Sequence, residues 1–342
     1  MTEPVKITEM AFSLFRSNLS PIQSLLDDET VTEIMLNRPD DVWVERHGVM
    51  SNAGITGISA RNMLTAVSAL ASANNRDVTP VLDCRMPGYR IAAVLPPVGV
   101  QGAAICIRKH AHYLRPLDAY RDNFVAGRLS GERAQRAEPT VDPHDPDSCL
   151  NYVRWLVTAK KNILLAGSTG SGKTTFLNTL LSLIPETERV YTIEDTAELQ
   201  VTVPNFVSVE SLPDKGITIR TLVREGLRFR PDRIIVGEVR GEESYDLLDA
   251  MNTGHSGGAC TLHANSAADG LYRLEGMVRM AREAATLPLG ALRMQIAKTF
   301  SAAIFCGEHA DMRGPDELVR VDGVAGEGDG YRTTVLFDAS VA

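Results

Sequence analysis

The sequence of 342 residues predicts an α/β protein of two domains, the first smaller and of α+β type. Residues 150–342 alternate strand-like and helix-like patterns, as expected for a mostly parallel sheet. A glycine-rich phosphate-binding motif stands where one of these strands passes into a helix. A polar, proline-rich stretch, 116–149, precedes this region and is predicted to be a linker. We therefore predict domains at 1–115 and 150–342.

The N-terminal domain is predicted from one clear helix and several short strands. Ser59–Asn74 carries a helical stripe of Met63, Val67 and Leu70, and Ser59 can cap its start. Ser20-Pro21 also reads as a helix start. Runs of apolar and β-branched residues predict strands at Val31–Asn37, Val42–Arg46, Tyr89–Leu95 and Ala103–Arg108. One short helix is predicted within the linker, around Leu117–Val125.

In the C-terminal domain, the same reasoning predicts an alternation of strands and helices. The predicted strands are Ile163–Ala166, Arg189–Glu194, Asn205–Glu210, Arg233–Glu238, Gly258–His263, Ala302–Cys306, Leu318–Val324 and Tyr331–Phe337. One helix is predicted directly after the phosphate loop. Four more are predicted at Thr218–Phe229, Glu242–Met251, Ala267–Arg282 and Leu289–Phe300.

Gly167–Thr174 matches the phosphate-loop pattern G-x-x-x-x-G-K-[ST]. Its glycines allow a tight turn in which successive N–H groups converge on phosphates. Lys173 can reach the β- and γ-phosphates of ATP, and the Thr174 hydroxyl can ligate Mg²⁺. The predicted nucleotide-binding residues are Gly167, Ser168, Thr169, Gly170, Ser171, Gly172, Lys173, Thr174 and Thr175.

Acidic residues at two strand ends are candidates for the chemistry of hydrolysis. Glu238 ends an apolar run in the manner of a Walker-B strand, where it would face Mg²⁺ or its water shell. Glu194 and Asp195 end the first strand after the phosphate loop, with Glu198 beyond, and one of them could accept a proton from the attacking water. The alternative is that these acids only end strands or form a solvated turn.

Histidines and arginines are weaker candidates. His255 and His263 flank a glycine-rich turn and strand, and a histidine there could sense the γ-phosphate, although surface or core roles are more common. Arginines recur every four residues along one predicted helix, and we favour a solvated or subunit-contacting face for them. They are Arg220, Arg224 and Arg228.

Composition limits the class of function. The net charge of −8 and pI near 5.5 argue against nucleic acid as the main ligand, so we expect no stable nucleic-acid binding. No apolar run approaches the ~20 residues that span a bilayer, and the N-terminus does not resemble a signal peptide. We therefore expect no transmembrane segment and a cytoplasmic protein. Five scattered cysteines indicate neither a disulfide framework nor a zinc site.

Four strings together carry a resemblance: GSTGSGKTT, TIEDTAELQ, RFRPDRIIVGEVRGEESYDLLDAMNTGHSGG and TLHAN. They resemble the secretion ATPases of bacterial type II and type IV secretion and pilus systems. VTEIMLNRPDDVWVERHG, MPGYRIAAVLPPV and ICIRKHA resemble the N-terminal domain of the same family, so the resemblance covers residues 20–340. The sequence is most similar to the conjugal-transfer (TrbB-like) type IV secretion ATPases, and it lacks the four-cysteine zinc element common in type II assembly ATPases.

The resemblance implies a RecA-like C-terminal ATPase domain, a sensor-type N-terminal domain and a homo-hexamer with nucleotide between the two domains. It implies an ATP-hydrolysing motor that is peripheral at the inner membrane through secretion or pilus complex proteins. Glu194 becomes the general base, Glu238 takes the Walker-B place, His263 lies near the γ-phosphate with His255 at the start of its motif, and Arg90 and Arg108 reach the phosphates. The linker is longer than the family leads us to expect.

Three other functions are compatible with these motifs. The first is a tight-adherence or type IV pilus assembly ATPase, a group that shares many of the same sequence motifs. The second is a nucleic-acid-stimulated RecA-like translocase, which the acidic balance disfavours. The third is a nucleotide-gated scaffold that does not hydrolyse ATP, which the acids at 194 and 238 disfavour.

Overall fold

The computed structural model describes residues 3–110, 121, 137–309, 312–326 and 329–341. Within these ranges the N-terminal part forms a six-stranded sheet and the C-terminal part forms an eight-stranded sheet. Helices pack against both sheets. The predicted α/β class, with a smaller α+β part before a larger one, is confirmed.

The N-terminal sheet is antiparallel, in the strand order β3-β2-β1-β6-β5-β4. Its strands are β1 Val31–Arg38, β2 Asp41–Arg46, β3 Val49–Asn52, β4 Val81–Met86, β5 Tyr89–Val94 and β6 Ala104–Lys109. Its helices are α1 Glu3–Asn18, a 3-10 turn at Ser20–Ile22, α2 Gln23–Asp27 and α3 Ala60–Ala73. Ser59 caps α3 as predicted, because its side chain accepts a hydrogen bond from the Asn62 N–H while the Asn62 side chain accepts one from the Ser59 N–H.

Both faces of the N-terminal sheet are buried. Along β1, Ile34 and Leu36 belong to the core formed with α1, α2 and α3, whereas Met35 between them belongs to the core of the C-terminal part. On β6, Ile105 and Cys106 divide in the same way. This follows from the two-residue period of a strand, which sends successive side chains to opposite faces. The N-terminal sheet therefore packs directly against the C-terminal part.

The C-terminal sheet has the strand order β14-β13-β12-β7-β11-β10-β8-β9. Strands β12 to β9 in this order are parallel, while β13 and β14 are antiparallel additions at one edge. The strands are β7 Asn162–Gly167, β8 Val190–Glu194, β9 Phe206–Glu210, β10 Arg233–Val236, β11 Ala259–Leu262, β12 Phe300–His309, β13 Met312–Ala325 and β14 Gly330–Asp338.

Helices cover the two faces of the C-terminal sheet. The helices are α4 Pro146–Thr158, α5 Lys173–Ser182, a 3-10 turn at Pro213–Lys215, α6 Ile219–Gly226, α7 Glu243–Asn252, α8 Ala267–Val278 and α9 Leu289–Thr299. On β7, Leu164 packs in the core with α6 to α9, and its neighbours Ile163 and Leu165 pack in the core with α4 and α5. This double burial explains why the parallel strands are continuous apolar runs in the sequence.

The open edge of the C-terminal sheet, at β9, is closed by a loop of the N-terminal part. The Val100 N–H donates to the Ser208 carbonyl at 3.0 Å, and the Glu210 N–H donates to the Val98 carbonyl at 2.9 Å. Gly99 stands between them, where a Cβ would lie 2.1 Å from the Gly102 carbonyl oxygen, so the loop requires glycine. The loop satisfies backbone groups that a bare edge strand would leave unpaired.

A buried arginine joins the two parts at their interface. Arg189 is only 1% exposed, and its Nε donates to the Phe229 carbonyl at 2.8 Å. Its Nη1 donates to Asn37 Oδ1 of β1 at 2.6 Å and also to Asn205 Oδ1. Asn37 in turn donates to Asn205 Oδ1 at 3.0 Å. Burial lowers the pKa of Arg189, and neutral oxygens accept its hydrogen bonds.

The structure adds three elements that the sequence reading lacked. Strand β4 was not predicted, and α1, Glu3–Asn18, precedes the helix start predicted at Ser20-Pro21. Helix α4 begins at Pro146, within the range predicted as linker. The helix predicted around Leu117–Val125 lies outside the described residues apart from Arg121. Among the helices that are described, none is long and apolar enough to cross a membrane.

Replacing Arg189 tests how much its hydrogen bonds across the interface stabilise the fold. In Arg189→Ala, the Phe229 carbonyl and Asn37 Oδ1 lose their donor inside a buried interface, so we expect the free energy of unfolding to fall by about 3 kcal/mol or more. Urea denaturation measures it. Arg61→Ala, at an exposed position, should change it by less than about 0.5 kcal/mol. A loss below about 1 kcal/mol in Arg189→Ala would contradict the structural role given to this residue.

Candidate nucleotide site

The phosphate loop lies where the sequence places it, between β7 and α5. Gly172 has φ +88° at the position before the helix, a left-handed conformation that glycine adopts without strain. At Gly167 a Cβ would lie 2.3 Å from the Cys306 carbonyl oxygen of β12 and 2.6 Å from Ser171 Oγ. Both glycines therefore fix the path of the loop, which confirms the predicted strand, loop and helix order.

Lys173 is the first residue of α5, and its side chain is buried under the loop. Its Nζ donates to the carbonyls of Gly167 at 2.9 Å and Ser168 at 2.6 Å. Burial lowers the pKa of Lys173, and the nearby Glu238 carboxylate opposes that shift. The loop thus holds a cation on its inner side, at the N-terminal end of a helix, where an anion is favoured.

A cleft with a volume of about 280 Å³ opens in front of the loop. It is lined by the phosphate loop and by the ends of three strands, β8, β10 and β11. Its lining residues are Thr169, Gly170, Lys173, Thr174, Glu194, Asp195, Thr196, Glu198, Gly237, Glu238, Arg240, Thr261 and His263. The predicted Lys173, Thr174, Glu194, Glu238 and His263 therefore meet in one place.

Glu194 is buried at the end of β8 and is oriented by backbone donors. Its Oε1 accepts hydrogen bonds from the N–H groups of Glu198 and Leu199, each at 3.0 Å. Burial raises the pKa of Glu194, while these two N–H groups oppose the shift. A fixed carboxylate of raised pKa is a stronger base than an ordinary one, which suits proton abstraction from water.

Glu238 follows β10 and faces Lys173 across the cleft. Its Oε2 accepts a hydrogen bond from Arg240 Nη2 at 2.7 Å, and chiefly this bond lowers the pKa of Glu238. His263 Nε2 lies 3.1 Å from Glu238 Oε1, but the two atoms are not aligned as a hydrogen bond, and this buried oxygen has no hydrogen-bond partner. The Glu238 carboxylate and the hydroxyl of Thr174 line one cleft, and both are hard oxygen ligands of the kind that Mg²⁺ takes in proteins.

The N-terminal arginines lie elsewhere. Arg90 and Arg108 are direct cross-strand partners on β5 and β6, and within one chain neither lines the cleft. Arg90 is paired with Asp83 at 3.4 Å, and Arg108 is paired with the buried Glu33. The predicted contact of both arginines with phosphates therefore stays a prediction, since neither side chain lines the cleft of its own chain.

Arg108 instead lines a second cavity, of about 470 Å³, between the two parts of the chain. His255 lines the same cavity, so the second predicted histidine is separated from His263 and from the phosphate loop. Burial lowers the pKa of His255, which favours the neutral imidazole. Lys160 and Arg230 are the other basic residues that line this second cavity.

The three arginines on and just after α6 form ion pairs within the chain. Arg220 and Arg224 both reach Asp246 of α7, at 2.6 Å and 2.5 Å, and both approach Glu283. Arg228 pairs with Asp83 of the N-terminal sheet at 3.2 Å and with Glu225. These contacts give the stripe a structural role within the chain, joining α6 to its neighbours.

Sequence reasoning missed Arg240, which lies at the mouth of the cleft. Its Nη2 donates to Glu238 and its Nη1 donates to Asp195 Oδ2 at 3.2 Å. One signal was present, because Arg240 stands two residues after a predicted site acid, where the chain leaves the strand. Its second partner is 45 positions away in the sequence, so only the fold brings the two together.

These features define a class: a two-domain α/β protein whose phosphate loop faces acids at the ends of neighbouring parallel strands. The family model described as "Type II/IV secretion system protein" matches residues 130–305. The chain is 36% identical over 266 residues to the conjugal transfer protein TrbB of Rhizobium radiobacter, covering 75% of each chain. It is 33% identical over 299 residues to the type IV secretion system protein PtlH of Bordetella pertussis, covering 84% of this chain and 88% of that protein.

A solved structure has the same arrangement over nearly the whole chain. It is the VirB11 ATPase from the type IV secretion system of Brucella suis in complex with sulphate, with a TM-score of 0.79 and 26% identity. The match covers 96% of this chain and 95% of that one. This chain belongs to the type II/IV secretion system protein family. The resemblance found in its motifs is thereby confirmed.

The raised pKa of Glu194 predicts a pH dependence. A general base acts only when deprotonated, so the rate of ATP hydrolysis should fall as the pH falls through the Glu194 pKa, with a midpoint above the ordinary value of 4.5. Steady-state phosphate release between pH 5 and pH 8 measures this acidic limb of the pH–rate profile. Glu194→Gln should lower the rate about 100-fold or more at every pH and abolish the limb. An unchanged limb in Glu194→Gln would exclude this residue as the base.

Proposed function

We propose that this chain is an ATPase that hydrolyses ATP to power a type IV secretion or conjugal transfer machine. One observation carries the chemistry: Glu194 and Glu238, at the ends of two parallel strands, face the phosphate loop across one cleft. Membership of the secretion family supports the biological role. Relatives named for conjugal transfer and type IV secretion favour these machines over pilus assembly.

Each part of the cleft has a role in phosphoryl transfer to water. The loop N–H groups and Lys173 bind the β- and γ-phosphates of ATP and offset their charge. Thr174 and Glu238 are the residues that would hold Mg²⁺, which would supply further positive charge at the phosphates. Glu194 orients the attacking water and accepts its proton, and His263 beside Glu238 contacts the γ-phosphate side of the cleft.

Membership of the family supports an extension of this proposal to the assembly. Residues 1–115 form the N-terminal domain, 116–149 the linker and 150–342 the ATPase domain, and six copies form a ring. Partner proteins hold the ring at the cytoplasmic face of the inner membrane. Hydrolysis changes the contact between the two domains, where Arg189 and Asn37 now join them, and that movement is passed to the machine.

Arg90 and Arg108 act on phosphates bound by a neighbouring subunit. They do not line the cleft of their own chain, and they lie side by side on the N-terminal sheet as a pair of cations. The cleft itself is rich in acids, so a triphosphate there gains from cations brought by another copy. A hydrolytic site completed across a subunit boundary also couples neighbouring subunits in the ring.

Mixing two defective variants tests the site and its subunit boundary together. Lys173→Ala should lack activity, because it removes the charge at the phosphates, and Arg108→Gln should lose most of it. A one-to-one mixture assembled from separated subunits should regain about a quarter of the wild-type rate. This is the fraction of neighbouring pairs in which an intact lysine meets an intact arginine.

The outcomes separate the two claims. Wild-type ATPase activity in Lys173→Ala alone would contradict the assignment of the hydrolytic site. An inactive mixture, with mixed rings demonstrated by differently tagged subunits, would contradict the action of Arg108 across the boundary while leaving the ATPase assignment intact. Arg61→Ala mixed with Lys173→Ala serves as the control, because Arg61 is exposed on α3 and does not line the cleft.

A further inference from the structure

Arg240 carries a cationic side chain into a cleft that has few others. Among its described lining residues, the acids are Glu194, Asp195, Glu198 and Glu238, whereas Lys173 and Arg240 are the only lysine and arginine. Lys173 is held under the loop by two carbonyls. ATP is strongly anionic, so a cleft with more acids than bases binds it only if the available cations face the phosphates.

The backbone of Arg240 is fixed, whereas its side chain is exposed to solvent. The N–H groups of Arg240 and Gly241 both donate to Glu243 Oε1, at 2.6 Å and 2.8 Å, at the start of α7. The side chain beyond is 64% exposed. A long side chain on a rigid pivot can therefore sweep the mouth of the cleft without any backbone movement.

The present partners of Arg240 hold it weakly. They are Glu238 at 2.7 Å and Asp195 at 3.2 Å, and Asp195 is 44% exposed. Ion pairs this open to water contribute little, because solvent screens them and the long side chain must be ordered. Asp195 also has another partner, the Ser211 hydroxyl at 2.9 Å, so it does not depend on the arginine. A phosphate offers Arg240 charge-assisted hydrogen bonds of the same kind as the two that it would give up.

The exchange has a consequence for Glu238. Its Oε2 is occupied by Arg240, and its Oε1 is buried without a hydrogen-bond partner. If Arg240 leaves, Oε2 of Glu238 loses its hydrogen bond and becomes available to a cation, while Oε1 stays 3.1 Å from His263 Nε2. The planar guanidinium can then make the two parallel hydrogen bonds that suit phosphate oxygens.

We propose that Arg240 is a catalytic residue, which leaves Glu238 and Asp195 when ATP binds and contacts the terminal phosphate within its own subunit. This inference rests on the proposed ATPase function. Arg240 would thereby distinguish ATP from ADP. With ADP bound there is no terminal phosphate to contact, and Arg240 keeps its bonds to Glu238 and Asp195.

Nucleotide discrimination tests this role directly. Displacement of a fluorescent ADP measures the affinities of ADP and of the non-hydrolysable analogue AMP-PNP, both with Mg²⁺. In Arg240→Gln we expect AMP-PNP to bind about tenfold more weakly or worse, and ADP to change less than about twofold. Arg240→Lys should recover part of the loss, since it keeps the charge without the fork.

Two control variants account for general charge effects. Arg224→Gln removes an arginine of similar exposure, 54%, that is also paired with two carboxylates but lies outside the cleft. Arg313→Gln removes a charge close to the phosphate loop, since the Arg313 Cβ lies 3.5 Å from where a Cβ on Gly172 would stand. Neither should change the ratio of the two affinities by more than about twofold.

Each outcome decides one claim. Equal losses for AMP-PNP and ADP in Arg240→Gln would overturn the proposal, because Arg240 would then only hold the acids in place. Unchanged affinities would overturn it as well. If the wild-type protein bound neither nucleotide, the proposed ATPase function itself would fail. Thermal unfolding of each variant confirms that it is folded.

Discussion

The parallel pairing of four central strands is the constraint on which the site depends. In the sheet Ala166 of β7 lies beside Leu262 of β11, and Val236 of β10 lies beside Ile193 of β8. The residues that follow these positions therefore emerge together at one edge. They are the start of the phosphate loop, His263, the turn to Glu238, and Glu194. A shift of register in any of these pairs would separate the phosphate loop from the acids it needs.

A second constraint acts between the two parts of the chain. The central strands of the N-terminal sheet are covered on both sides, because one face packs on its own helices and the other on the C-terminal core. Arg189 and the loop at Gly99 tie the same interface with hydrogen bonds. An interface of this kind transmits movement as a unit, since dry packed surfaces slide or separate but do not deform gradually. We expect ATP hydrolysis to change the packing at this interface between the two parts of the chain.

Much of the fold could be predicted because the sequence signals are local. The buried parallel strands are short apolar runs, and α3 has both its cap and its stripe. Strand β4 was missed although Leu82, Cys84 and Met86 alternate as buried residues, because charged residues stand between them and the apolar run is short. Helix α4 was missed although Asp145 and Pro146 form a common helix start, because the surrounding prolines favoured a linker.

The site was predictable to the extent that each residue lies in its own motif. Lys173, Glu194 and Glu238 can be identified from the strings that contain them, and the sheet brings them together. Arg240 could not be assigned in this way, because its meaning depends on an acid contributed by another strand. The positions of Arg108 and His255 also depend on how the two parts of the chain pack, which no local pattern records.

The central claim is that one cleft both binds ATP and hydrolyses it, with separate residues for the two tasks. Glu238→Gln separates them, because the amide keeps the shape of the side chain but loses the charge that holds the metal. Single-turnover measurements on this variant record bound ATP and released phosphate in the same sample. The account predicts ATP binding within about threefold of wild type and hydrolysis slower by about 100-fold or more. Hydrolysis at the wild-type rate would contradict it.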